Sequence, residues 1–145
     1  AEYDAFLTKQ DPAFTVEELE EAMQKVMDQY AGGIGTHYQF NEKQLAMAEE
    51  KIKKLQILAK GLAAADMHEL MFIYELKERL TVCLTVIAHL RARKETRWHS
   101  FAENLDYPEK SDAWLCYVNS KKNGDQITMI RRDLVKGGET YEHRD

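Results

Sequence analysis

Leu19, Met23, Val26, Met27 and Tyr30 recur at offsets of 4, 7, 8 and 11 residues, the spacing that lines one face of an α-helix. Thr15-Val-Glu-Glu18 opens this stretch as a capping box: the hydroxyl takes an orphan N–H of the first turn and the glutamate reaches back. Glu17, Glu18, Glu20 and Glu21 place negative charge where the helix dipole favours it, and Ala31-Gly-Gly-Ile-Gly35 ends the pattern. The first predicted helix therefore covers residues 15–31. A second stripe, Leu45, Ala48, Ile52, Leu55, Leu58 or Ala59 and Leu62, predicts a helix over residues 41–62, capped by Asn41 with Gln44 three residues on. Glu49 with Lys53 and Glu50 with Lys54 line its wet face, and Gly61 falls near its end.

The third pattern is different. Asp66-Met-His-Glu69 reads as another capping box, and from Leu70 to Trp98 neither Gly nor Pro interrupts, so residues 66–98 are predicted as one helix of about 45 Å. Its apolar residues, among them Leu70, Phe72, Ile73, Leu76, Leu80, Val82, Leu84, Val86 and Leu90, wrap most of the circumference. A helix apolar all round is covered on several sides, and two amphipathic helices do not suffice. Either a terminal segment of the chain folds over it, or the β-branched run of residues 82–87 is simply core, or another surface docks there.

Beyond Trp98 the texture turns aromatic and β-branched, with Trp114-Leu-Cys-Tyr-Val118, the turn signal Asn123-Gly124 and the alternating Gln126-Ile-Thr-Met-Ile-Arg131. That is a β-hairpin pattern, and two strands alone need a body to lie on. The reading is an all-α fold: a three-helix bundle, spectrin-like and up-down-up, with a short C-terminal β-hairpin tail. Residues 1–14, with Asp11-Pro12, read as an entry segment, 15–98 as the bundle, 99–135 as an extended segment and hairpin, and 136–145 as a loose tail.

With 145 residues, the chain has the length of one ordinary domain, and seven Gly and two Pro leave it helix-favouring. Its formal charge of -5 argues against a general nucleic-acid binder. Cys83 and Cys116 have no CxxC spacing and read as reduced, buried thiols of a cytoplasmic protein. No signal peptide opens the chain, the apolar run of residues 80–90 is too short to span a bilayer, and a start at Ala1 fits a processed chain or an excised fragment.

The search for chemistry is nearly empty. His37, His68, His89, His99 and His143 show no metal-ligand spacing, and His89, inside the apolar run, reads as a core histidine rather than an acid/base group. Residues 32–35 follow a helix rather than a strand, so they read as a helix stop instead of a phosphate loop. No catalytic, cofactor or metal residue is assigned. What stands out is Arg91-Ala-Arg-Lys-Glu-Thr-Arg-Trp-His99, followed by Phe101, Tyr107 and Trp114. Its cations compensate a helix dipole, hold a small anion, or fork to carboxylates and stack on rings across an interface. Interface contact is preferred, because a dipole alone does not call for four cations with a Trp and a Glu among them. The contact residues are then Arg91, Arg93, Glu95, Arg97, Trp98, Tyr107 and Trp114.

These same residues carry a resemblance. Glu95-Thr-Arg97 after Arg91 and Arg93, then Asp106-Tyr-Pro108-Glu109 and Asp112-Ala-Trp114, resembles the motif near the end of succinate dehydrogenase and fumarate reductase flavoprotein subunits, where Arg-x-Glu-Ser-Arg-Gly leads to Asp-Tyr/Phe-Pro and Asp-x-x-Trp. Upstream, Leu19, Met23, Val26 and Met27 with Ala31-Gly32 look like that family's Gly-terminated helix, so the likeness spans residues 15–120. Where the family has Gly-Ala-His, this chain has Trp98-His99-Ser100, and Trp114-Leu-Cys-Tyr-Val-Asn-Ser120 runs into a hairpin. Both departures look like the adenylylsulfate reductase alpha-subunit branch. The resemblance implies the C-terminal helical, non-catalytic domain of an FAD-dependent oxidoreductase that packs on the FAD domain of the same polypeptide and helps meet an iron-sulfur subunit. FAD and the catalytic His and Arg residues would then belong to domains that precede residue 1. The alternative is a free-standing helical interaction module that uses the same face for self-association or for another protein.

Overall fold

The computed structural model describes residues 2–98 and 101–135, so His99 and the expected loose tail at 136–145 lie outside the described residues. Four helices are built: α1 (Glu2–Thr8), α2 (Val16–Tyr30), α3 (Glu42–Ala59) and α4 (Met67–Ala92). Four strands follow the chain as β1 (Gln39–Phe40), β2 (Glu103–Asn104), β3 (Cys116–Asn123) and β4 (Gln126–Asp133).

Helices α2, α3 and α4 form the up-down-up three-helix bundle, with the hairpin β3–β4 as its C-terminal appendage. The caps work as their residue types dictate. Thr15 and Glu18 make a reciprocal box, and the Asn41 side chain accepts the Gln44 N–H at 2.8 Å. At α4 the Asp66 carboxylate accepts the N–H groups of both His68 and Glu69, while Glu69 reaches one residue further back, to the Ala65 N–H at 2.7 Å. Leu19 and Met23 from α2 meet Leu45, Ala48, Ile52 and Leu55 from α3 and Leu70, Ile73, Leu76, Leu80 and Ile87 from α4 in one core. Burying each large aliphatic side chain contributes about 1.5–3 kcal/mol. Arg79 to Glu20 and Arg91 to Glu42 and Glu49 tie α4 to its two partners and agree with that helix order.

Four expectations are corrected. The entry segment is helical over Glu2–Thr8: Phe6 is buried, its ring edge-on to Tyr74 at 6.1 Å, and its carbonyl accepts the Ala64 N–H. Helix α4 ends at Ala92, six residues before the predicted limit. The segment after it forms a parallel pair, β1 with β2 in register Gln39↔Glu103 and Phe40↔Asn104, which no local pattern announces. In the hairpin, Asn123 pairs with Gln126, so the turn is Gly124-Asp125, with Gly124 at φ 61°.

The hairpin lies along α4, and α1 touches that helix near its start. Even so, Met71, Phe72, Val82 and Val86 remain exposed, Val82 at 61%. The third helix is thus partly covered by its own chain and partly bare.

Candidate functional site

Arg93, the residue after α4, leaves helical geometry at φ -84°, ψ 110° while its N–H still reaches the His89 carbonyl. The reason lies in its neighbours. In a helix, residues two apart point to nearly opposite sides, whereas in an extended chain they share one. Once the chain leaves the helix at Arg93, bends at Glu95 and Arg97 let Glu95 meet both arginines. Arg93 donates to Glu95 Oε1 at 2.7 Å, and Arg97 forks onto both oxygens at 2.9 Å each. The Ser111 N–H adds a bond to Oε2 at 3.0 Å.

Each arginine then reaches the returning chain. Arg93 donates to the carbonyls of Trp114 (2.8 Å) and Cys116 (3.0 Å), and Arg97 to that of Ser111 (3.2 Å). Glu95 is 4% exposed, so this is a buried carboxylate with four donors. Burial alone pushes the Glu95 carboxyl up, but the Arg97 bonds, the Ser111 N–H and Arg93 outweigh it and hold it below the ordinary carboxylate range. Between Glu95 and Arg97, buried Thr96 accepts the Asn104 N–H at 3.0 Å and donates to the Tyr107 carbonyl at 2.8 Å. Its own N–H goes to the Glu109 carbonyl. The stretch is a clamp that pins residues 104–116 against the end of α4.

Rings extend it. The Arg131 guanidinium lies 4.2 Å from the centre of the Trp114 ring and bonds the Ala113 carbonyl, with Arg93 at 6.0 Å from the same ring. Lys94 stands over Tyr107 at 5.4 Å. Of the residues singled out from the sequence, Arg93, Glu95, Arg97 and Trp114 come together, and Arg91 turns aside to Glu42 and Glu49 on α3. Trp98 (69% exposed) and Tyr107 point to the surface.

Sequence reasoning missed Thr96, whose hydroxyl ties Asn104 to Tyr107, and Asn104 and Ser111, which complete the clamp through backbone groups. The Arg-x-Glu-x-Arg spacing of two is a strand period inside a supposed helix, and it was the available signal. It also missed an exposed apolar rim. Tyr38, whose carbonyl accepts the Glu103 N–H, and Phe101 (76% exposed), two residues before Glu103, flank the β1–β2 pair, with Ile34 and Leu105 also exposed nearby in the chain. His37 and Tyr38 both hold positive φ there, at 53° and 62°, a conformation that costs energy in residues other than Gly.

The glycine turn is no phosphate cradle. The Asp28 carboxylate already accepts the Gly35 N–H at 3.0 Å, and a Cβ on Gly33 would fall 2.3 Å from the Asp28 Cα. A flavin's phosphates do not fit a loop closed by a carboxylate. Among the described residues, no group of three His, Cys, Asp or Glu side chains is placed to hold a metal ion, and no helix is long and apolar enough to cross a membrane. Burial raises the Cys83 thiol, which makes it a poor nucleophile.

Residues 20–139 match the family model described as the fumarate reductase flavoprotein C-terminal region. The alpha subunit of adenylylsulfate reductase from Megalodesulfovibrio gigas is 34% identical over 98 residues, 67% of this chain and 15% of that protein. The adenylylsulfate reductase structure from Archaeoglobus fulgidus superposes with a TM-score of 0.83 at 35% identity, over 92% of this chain and 21% of that one. A structure described as adenosine-5-phosphosulfate reductase in complex with sulfite gives 0.84 at 34%, over 97% and 23%. The Escherichia coli quinol fumarate reductase shares the fold, with a TM-score of 0.77 at 19% identity over 97% of this chain and 24% of that one. The chain spans less than a quarter of each of these proteins, and its likeness is greater to the adenylylsulfate reductases than to the fumarate reductase. With 120 of its residues covered by the family model, the chain belongs to the C-terminal family of fumarate reductase flavoproteins.

Proposed function

We propose that this chain is the C-terminal, non-catalytic part of an FAD-dependent oxidoreductase subunit of the adenylylsulfate reductase type, working in the cytoplasm. FAD and the reacting groups belong to the larger remainder of the subunit. The part described here packs on the FAD domain and helps form the face met by an iron-sulfur subunit.

The observation that carries this reading is the pairing of a family match over most of the chain with an apolar surface its own fold leaves bare. Met71, Val82 and Val86 on α4 and Trp98, Phe101 and Tyr107 beyond it are side chains that a finished surface seldom exposes together. The clamp has a supporting role: Arg93 and Arg97 spend their donors within the chain, so they fix the segment that carries Trp98 and Tyr107 rather than reach across.

Expressing this chain apart from the remainder of its parent subunit tests the reading. The expected result is a chain without bound flavin that associates with the flavin-carrying remainder, at least tenfold more weakly after Val82→Asp and Phe101→Asp. Absence of association, or association only with itself, would contradict it.

A further inference from the structure

Two clefts lie beneath the hairpin, and their charge differs. In one, of about 600 Å3, Glu42, Glu49 and Asp125 stand among Lys53, Arg91 and Lys94, so acids and bases balance. The other, of about 580 Å3, opens between the hairpin tip and the groove of α3 and α4, and there Lys53, Lys60, Lys77, Lys121 and Lys122 meet one acid, Asp125. This concentration occurs in a chain whose formal charge is -5. Lys53 is shared with Glu49, and Lys77 lies over the rings of Phe6 and Tyr74. Lys60, Lys121 and Lys122 are exposed. Ile57, Leu84 and Ile127 supply apolar wall between them.

We infer that this cleft docks an extended acidic segment of a partner polypeptide, whose carboxylates meet Lys60, Lys121 and Lys122 and whose apolar side chains cover Ile57 and Leu84. Three features favour a polypeptide over a small phosphate or a lipid surface. Among the described residues the hairpin has two strands, so each presents one edge whose backbone groups can pair with an incoming strand. The cleft's lysines are spread along its lining with no arginine fork among them, so a compact anion finds no bidentate partner whereas an extended chain can meet several ammonium groups. A flat membrane cannot enter the space under the tip. Exposed lysines of this kind steer a charged partner and set a salt-sensitive association rate.

The test is fluorescence anisotropy of the chain with a labelled decapeptide of alternating Glu and Leu. Binding is expected to weaken at least tenfold in the triple variant Lys60→Glu, Lys121→Glu, Lys122→Glu, and to persist in a control that makes the same charge change away from the cleft, Lys25→Glu, Lys43→Glu, Lys51→Glu. Circular dichroism reports whether both variants stay folded, and if the triple variant does not, Lys121→Glu with Lys122→Glu on the hairpin alone replaces it, with an expected loss of at least fivefold. Equal losses in cleft and control variants would overturn the inference. So would tripolyphosphate or phosphatidylserine vesicles binding with the same lysine dependence while the peptide does not.

Discussion

Glu95 is the residue on which the clamp turns. It neutralises two guanidiniums at once, and replacing it leaves Arg93 and Arg97 beside one another without the carboxylate between them. Glu95→Gln is predicted to lower stability by about 2–4 kcal/mol, near the cost of breaking a buried ion pair, because Arg93 and Arg97 keep some contact with water. A urea midpoint shift read by circular dichroism measures it. The pH dependence follows from the sign of the shift. The folded carboxyl titrates below its unfolded value, so its contribution is complete above the ordinary carboxylate range and fades as pH falls through the depressed value. Wild type should therefore lose stability on acidification below about pH 4.5 more steeply than Glu95→Gln, in paired urea titrations; parallel pH curves would mean that Glu95 is not held low. The sequence announced that these charged residues mattered and suggested an interface; their bonds within the chain, which depend on the burial of Glu95, are visible only in three dimensions.

At the scale of elements, the three bundle helices were legible because caps and a 3.6-residue period spell out start, face and stop. Helix α1 was not, since a seven-residue helix has little stability of its own and forms here because Phe6 packs on Tyr74. The β1–β2 pair was equally hidden, because Gln39 and Glu103 are 64 residues apart and neither strand carries a run of its own. The overlong prediction for α4 came from counting helix breakers; hydrogen bonds to Glu95, not a Gly or Pro, end it. The hairpin was readable from its alternation and from a turn signal one residue early, and Trp114 seats it, with Arg131 at 4.2 Å from its ring and Arg93 at 6.0 Å. Trp114→Ala is predicted to raise amide exchange across β3 and β4 at least tenfold while leaving the middle of α3 and α4 unchanged, followed by residue-resolved hydrogen exchange. A uniform rise throughout the chain would show instead that the stack supports the bundle.

For the molecule as a whole, a well-filled core coexists with a bare stripe on α4 and an aromatic rim beyond it. Leu76, Leu80 and Ile87 are nearly solvent-free, whereas Val82 and Val86, on other faces of the same helix, are not. The apolar circumference of α4 had pointed to a missing cover, and the hairpin supplies part of it. The remaining exposed apolar surface is the one assigned above, as a proposal, to contact with the rest of a larger subunit; the chain covers 15% of one relative and 21% of another. The most direct test compares hydrogen–deuterium exchange of this segment alone and within its full parent subunit. Slower exchange in the parent is expected at residues 71–86 and 101–107, with the hairpin tip at 121–125 unchanged in the absence of a partner. Identical exchange at 71–86 and 101–107 in both forms would rule out the proposed packing.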